Sequence, residues 1–165
     1  MSIERTRTFT WEDPAPSALA GQRMAGLDYL QAMSRGELPP PPIAELMGFE
    51  GFEAEHGRVT FFVTPAEFHY NPIGVVHGGL AATLFDSALG CAIHSTLPEG
   101  TGYTTLELKV NYLRPLTVDT GRVRCEATAI HVGGRVATAE ARLLDADDRL
   151  YGHATTTCMI FRPER

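Results

Sequence analysis

A chain of 165 residues, 44% hydrophobic and 21% charged, has material for one well-packed domain and is too short for two independent cores. Its formal charge of -6 disfavours a generic nucleic-acid binder, which needs a basic stripe, so an anionic ligand must be held by a few local cations or by backbone N–H groups. Three scattered cysteines (Cys91, Cys125, Cys158) without a CxxC pair speak against a disulfide framework or a thiolate zinc site and fit a reducing cytoplasm. The opening MSIERTRTFTWEDP lacks the apolar run of a signal peptide. The longest stretch without Asp, Glu, Lys or Arg, residues 68–85, contains Asn71, Pro72 and four glycine or histidine interruptions near its centre, so no membrane span is expected.

In chain order, residues 1–16 read as a loosely attached arm. Residues 17–35 read as one helix, with Leu19, Met24, Leu27, Leu30 and Met33 at three- and four-residue spacings and Gly36 at its end. The proline run 39–42 is a stiff connector, and 43–47 form one short helical turn. Residues 1–45 are therefore expected as an arm with a short helix, and 46–165 as the main domain. The period then changes to two. Segments 49–55 and 58–64 flank His56-Gly57 as a hairpin with Val59, Phe61 and Val63 on one face. A loop over 66–76 leads into HGGLAATLFDSALGCAIHSTLP. There Leu80, Leu84, Ala88 and Ala92 recur at helical spacing with Phe85, Leu89 and Ile93 beside them, an arc broad enough for a helix that is largely enclosed.

The remainder is a strand meander. In TTLELKVNYL, Leu106, Leu108, Val110 and Tyr112 alternate with Thr105, Glu107, Lys109 and Asn111. Segments 121–132, 135–144 and 150–161 give three more strands, joined at Gly133-Gly134 and at residues 145–148. One enclosed helix against about six antiparallel strands is an α+β architecture with the sheet curled around the helix, although periodicity leaves other α+β sheets open.

Asp86 stands in the middle of that helix, where a carboxylate is costly unless paired or hydrogen-bonded. At the helix start, Gly78 and Gly79 remove side chains where the first N–H groups lack intrahelical partners, so these donors and the positive end of the helix dipole can meet a developing oxyanion. Gly78 and Asp86 are separated by roughly 12 Å along the helix axis at about 1.5 Å per residue. One chain does not easily bring both to a single carbonyl. If both act on one substrate, the carboxylate comes from a second, antiparallel copy, and a homodimer with two equivalent sites is required.

The segments NPIGVVHGGLAATLFDSALG and TTLELKVNYLRP resemble the hotdog-fold acyl-CoA thioesterases of the phenylacetate-degradation (PaaI-like) type, over about residues 46–161. The motif is Asn71, then His77-Gly78-Gly79, then Asp86. The resemblance implies a curled antiparallel sheet of about six strands wrapped around one long central helix. It also implies hydrolysis of an acyl-CoA or aryl-acyl-CoA thioester. Asn71 and Gly78 would face the thioester from one subunit and Asp86 from the other, as general base or nucleophile, and a hydroxyl on the next strand would position the acid. That hydroxyl falls on Thr105, with Thr104 as its neighbour. Protomers of this type commonly form dimers of dimers. His77 and Gly79, at the helix entrance, are candidate substrate contacts, with a structural role as the alternative for His77. Arg135, after Gly133-Gly134, and Arg114 are the candidate cations for the coenzyme A phosphates. Phe61, Phe68, Tyr70 and Leu84 are candidates for an acyl tunnel or for ordinary core. No spacing among the histidines, His131 and His153 included, resembles a metal site, and no cofactor is expected. The competing readings are a non-catalytic acyl-CoA binder and an acyl-thioester hydratase or dehydratase.

Overall fold

The computed structural model describes residues 4–161; the outermost residues of the two units read from the sequence, 1–3 and 162–165, lie outside the described residues. Helix α4 (Gly78–His94) is the organising element, and nine of its 17 residues, Leu80, Ala81, Leu84, Phe85, Ala88, Leu89, Gly90, Ala92 and Ile93, are buried. Those positions sweep more than half of the helix circumference, as the broad apolar arc requires. Each large side chain here is worth about 1.5–3 kcal/mol of burial.

The strands are β1 (Phe49–Glu55), β2 (Arg58–Val63), β3 (Gly102–Tyr112), β4 (Val123–Val132), β5 (Val136–Leu144) and β6 (Leu150–Phe161), close to the boundaries read from alternation. They form one antiparallel sheet in the order β1-β2-β4-β5-β6-β3, so β1 and β3 are its edges. All six touch α4. A flat sheet of this width would span roughly 24 Å at about 4.8 Å per strand, twice the diameter of a helix. Only a curled sheet reaches α4 with every strand.

Three expectations need correction. The single N-terminal helix is two, α1 (Pro14–Gln22) and α2 (Gly26–Ser34). The break is caused by tertiary contact: the Gly26 N–H donates to Leu97 O at 2.9 Å, and a Cβ on Gly26 would stand 1.8 Å from His94 O. The arm is also tied down more than expected. The Arg7 guanidinium donates to the carbonyls of Glu45 and Leu46 on α3 (Pro42–Met47) and lies 4.0 Å over the Phe68 ring. Finally, strand β3 does not keep one alternation. A bulge lies between Thr105 and Glu107, and Leu106 and Tyr112 are 58% and 55% exposed in the protomer. The extra residue puts Tyr103 and Thr105 on the same side as Leu108, Val110 and Tyr112, opposite buried Ile160, Cys158 and Ala154 of β6.

Candidate active site

The approach to α4 is a compact loop. The Asn71 side-chain oxygen accepts from the N–H groups of Ile73 (3.0 Å) and Val75 (3.3 Å), and the Asn71 N–H donates to Val75 O at 2.8 Å. The His77 N–H then donates to His69 O at 2.8 Å, which locks the residue before the helix. His77 is the N-cap: its Nδ1 accepts from the Gly79 N–H at 2.8 Å. Leu80 N–H donates to His77 O at 3.0 Å. Among the described residues the Gly78 N–H, directly ahead of the capped Gly79, has no acceptor. The glycine pair is thus divided, with Gly79 capped and Gly78 open.

Gly78 borders a cleft of about 340 Å³ with His77, Tyr112 and Arg114. The Tyr112 hydroxyl donates to Gly78 O at 3.1 Å, and a Cβ on Gly78 would stand 3.2 Å from the Tyr112 ring. Arg114 is held over the cleft by a bond from its guanidinium to Leu150 O.

Asp86, two turns further on, is exposed in the protomer and does not line that cleft. The Thr105 hydroxyl donates to its Oδ1 at 2.8 Å. Without the β3 bulge, Thr105 would face the other side of the sheet from Leu108. Thr104, the neighbouring candidate, is exposed and pairs with Met159 on the outer face. Asp86 and Thr105 open into a larger chamber of about 770 Å³, walled by α2, the proline run, α3 and β1. The nearby Cys91 thiol is pushed up to about 12, by burial first and by Asp86 second, so it stays protonated.

The structure thus groups His77, Gly78 and Arg114 at one cleft and Asp86 and Thr105 at another, with Asn71 shaping the loop that leads to the first. Arg135 sits exposed at the β4–β5 turn, at the opposite end of the sheet from Arg114. His131 and His153 are exposed strand residues, and no described group of His, Cys, Asp and Glu is arranged to hold a metal ion. Of the tunnel candidates, Phe61 lines the chamber and Leu84 is core, whereas Phe68 is exposed against Arg7 and the Tyr70 hydroxyl accepts from Val118 N–H. Sequence reasoning missed Tyr112, which reads as one more strand position. It also missed the N-terminal wall of the chamber, which carries no local motif.

A family model described as the thioesterase superfamily matches residues 73–151. A Halobacterium salinarum protein whose name carries the word esterase is 40% identical over 77 residues, 46% of this chain and 49% of its own length, so the chain spans about half of that curated relative. A medium/long-chain acyl-CoA thioesterase of Escherichia coli is 26% identical over 127 residues, covering 69% of this chain and 81% of that protein. Among solved structures, a phenylacetic acid degradation-related protein of Ralstonia eutropha superposes with a TM-score of 0.71 at 30% identity, covering 79% of this chain and 98% of that one.

Proposed function

The chain belongs to the thioesterase superfamily, and we propose that it hydrolyses acyl-CoA thioesters in a site shared between two protomers. The observation that carries this reading is the division of labour along α4: an open Gly78 N–H at its start and, two turns on, an Asp86 carboxylate held by Thr105. The names of the relatives support the substrate class.

In this reading the thioester carbonyl of R–CO–S–CoA lies against Gly78 of one protomer. Its N–H and the helix dipole stabilise the oxyanion, a contact of a kind worth about 2.7–4 kcal/mol of barrier. Asp86 of the partner subunit takes a proton from water as the water adds to the carbonyl, or itself adds to give a mixed anhydride that water then opens. In the first route the tetrahedral adduct of water collapses with C–S cleavage; in the second the C–S bond breaks as the anhydride forms, before water opens it. Both release CoA as a thiolate, whose conjugate acid titrates at about 8.5 and needs little acid assistance. Thr105 orients the carboxylate. Asn71 shapes the loop, and its amide is a second polar contact for the carbonyl or the water. The use of His77 Nδ1 as a helix cap supports hydrolysis over a dehydratase reaction that needs a free imidazole base.

Edge strand β3 gives the two protomers a means of pairing. Antiparallel pairing of two β3 strands about a twofold axis between Leu108 and Lys109 would set Thr105 opposite Tyr112 of the partner subunit, and with them the acid opposite the open amide. The same axis would bring the two ends of the sheet together, so that Arg114 and Arg135 from different protomers face one coenzyme. Free-thiol release from acyl-CoA tests the activity. Mixing an inactive Asp86→Asn protein with an inactive Gly78 variant tests the sharing, because a mixed dimer restores one intact site. Thioester binding without thiol release, or no recovery on mixing, would overturn the reading.

A further inference from the structure

The chamber that opens at Asp86 is built mostly from chain outside residues 73–151, with Leu30, Met33 and Phe52 among its apolar walls. Its inner floor differs in kind. Tyr29, His94 and Tyr103 meet there, with ring centroids 5.6 Å apart for Tyr29 and His94 and 5.4 Å for His94 and Tyr103. Tyr29 is hydrogen-bonded to Ser17 at 3.2 Å. The Tyr103 hydroxyl and the His94 ring have no hydrogen-bond partner among the described residues, and neither is sealed off in the protein, since both line the chamber. Space has been made for the phenol: a Cβ on Gly90 would stand 2.7 Å from the Tyr103 oxygen. Burial raises the Tyr103 phenol well above its usual range and lowers His94, so the floor presents a neutral O–H donor beside a neutral imidazole. Both groups keep a free hydrogen-bonding position facing the chamber, so a ligand oxygen that enters can pair with them, whereas a wholly apolar end would leave them stranded.

Charge and length narrow the ligand. Glu12, Glu37, Glu45 and Asp86 line the chamber and no Lys or Arg does, which disfavours a terminal carboxylate. His94 is eight residues beyond Asp86 on α4, roughly 12 Å along the helix axis. An acetyl group would not reach the floor.

Resting on the acyl-CoA reading above, we propose that this chamber receives the acyl group, that the N-terminal wall sets its length, and that Tyr103 and His94 favour a medium-length chain with an uncharged oxygen, such as a hydroxyl, at its far end. The test compares kcat/KM for acetyl-, octanoyl-, ω-hydroxyoctanoyl- and suberyl-CoA by thiol release. The wild-type protein should prefer ω-hydroxyoctanoyl to octanoyl by about fivefold, the worth of one neutral hydrogen bond, and should disfavour the carboxylated chain. Tyr103→Phe should bring the hydroxylated-to-plain ratio towards one. Met33→Trp, which fills the chamber, should lower the octanoyl-to-acetyl ratio at least about tenfold, with thermal unfolding confirming an intact fold. Equal ratios in wild type and Tyr103→Phe, or an octanoyl-to-acetyl ratio untouched by Met33→Trp, would overturn the proposal. If no thioester is turned over, the hydrolase reading fails instead. The chamber is then read by calorimetric titration with ω-hydroxyoctanoate against octanoate, where equal affinity in wild type and Tyr103→Phe counts against it.

Discussion

The two cavities beside α4 are built on different principles. In the proposed reading the working group at Gly78 is a backbone N–H; His77 occupies the next amide, and Tyr112 holds the Gly78 carbonyl. At Asp86 the proposed working group is a side chain, hydrogen-bonded by Thr105, and the surrounding chamber comes mostly from a segment distant in sequence. A backbone donor is tuned by what is absent, a carboxylate by what is added. The two respond to substitution accordingly.

The largest expected effect is at the acid. Asp86→Asn keeps size and loses the base, so thiol release should fall by roughly 10²- to 10⁴-fold with little change in unfolding temperature; turnover at the wild-type level would break the comparison. Next is Thr105→Val. It removes a hydrogen bond to a charged group, and kcat should drop by about 10- to 100-fold with a smaller change in KM. Gly78→Ala keeps the N–H but puts a methyl 3.2 Å from the Tyr112 ring, so kcat/KM should fall by about tenfold. Pairing it with Tyr112→Leu sharpens the point: if ring crowding is the cause, the double variant loses less than the single one. His77→Ala should act on stability first, lowering it by about 1 kcal/mol in urea unfolding because the Gly79 N–H loses its cap.

The smallest effect concerns pH. His69 joins the two regions, since its Nδ1 accepts from Ala66 N–H at 3.0 Å, its Nε2 bonds Met47 O at 2.9 Å, and its own carbonyl holds His77. Burial, reinforced by the Arg7 charge, lowers its pKa against the opposing pull of the Met47 carbonyl, and burial also lowers His94. The unfolded chain therefore takes up these protons first. The stability from keeping both rings neutral is complete above the ordinary imidazole value of about 6.5 and is lost as pH falls below it through the lowered folded values. Urea midpoints should decline between about pH 7 and pH 5, and the decline should be shallower in His69→Gln and His94→Gln.

Much of this was legible in the chain itself. The arc of Leu80, Leu84, Ala88 and Ala92 announces α4, and alternation announces all six strands to within a few residues. The eight-residue separation of Gly78 and Asp86 is also plain in the text, and the structure keeps the two residues at different cavities; the proposed shared site starts from that separation. The β3 bulge was not legible. TTLELKVNYL alternates cleanly as text, but pairing with β6 inserts one extra residue, and that slip is what turns Thr105 towards Asp86. Nor could the N-terminal segment be placed, because the break between α1 and α2 answers to the His94 carbonyl, far away in sequence.

Local chemistry and periodicity, read from the residues alone, determined the elements, the helix that carries the acid, and the open amide at its start. These depend on neighbours within a few positions, where capping and burial patterns act. Tertiary structure decided how Thr105 comes to meet the carboxylate, that Tyr112 holds the Gly78 carbonyl, and that an unpatterned segment walls a chamber. Those outcomes turn on strand register and on close approaches between distant segments, which no local pattern encodes.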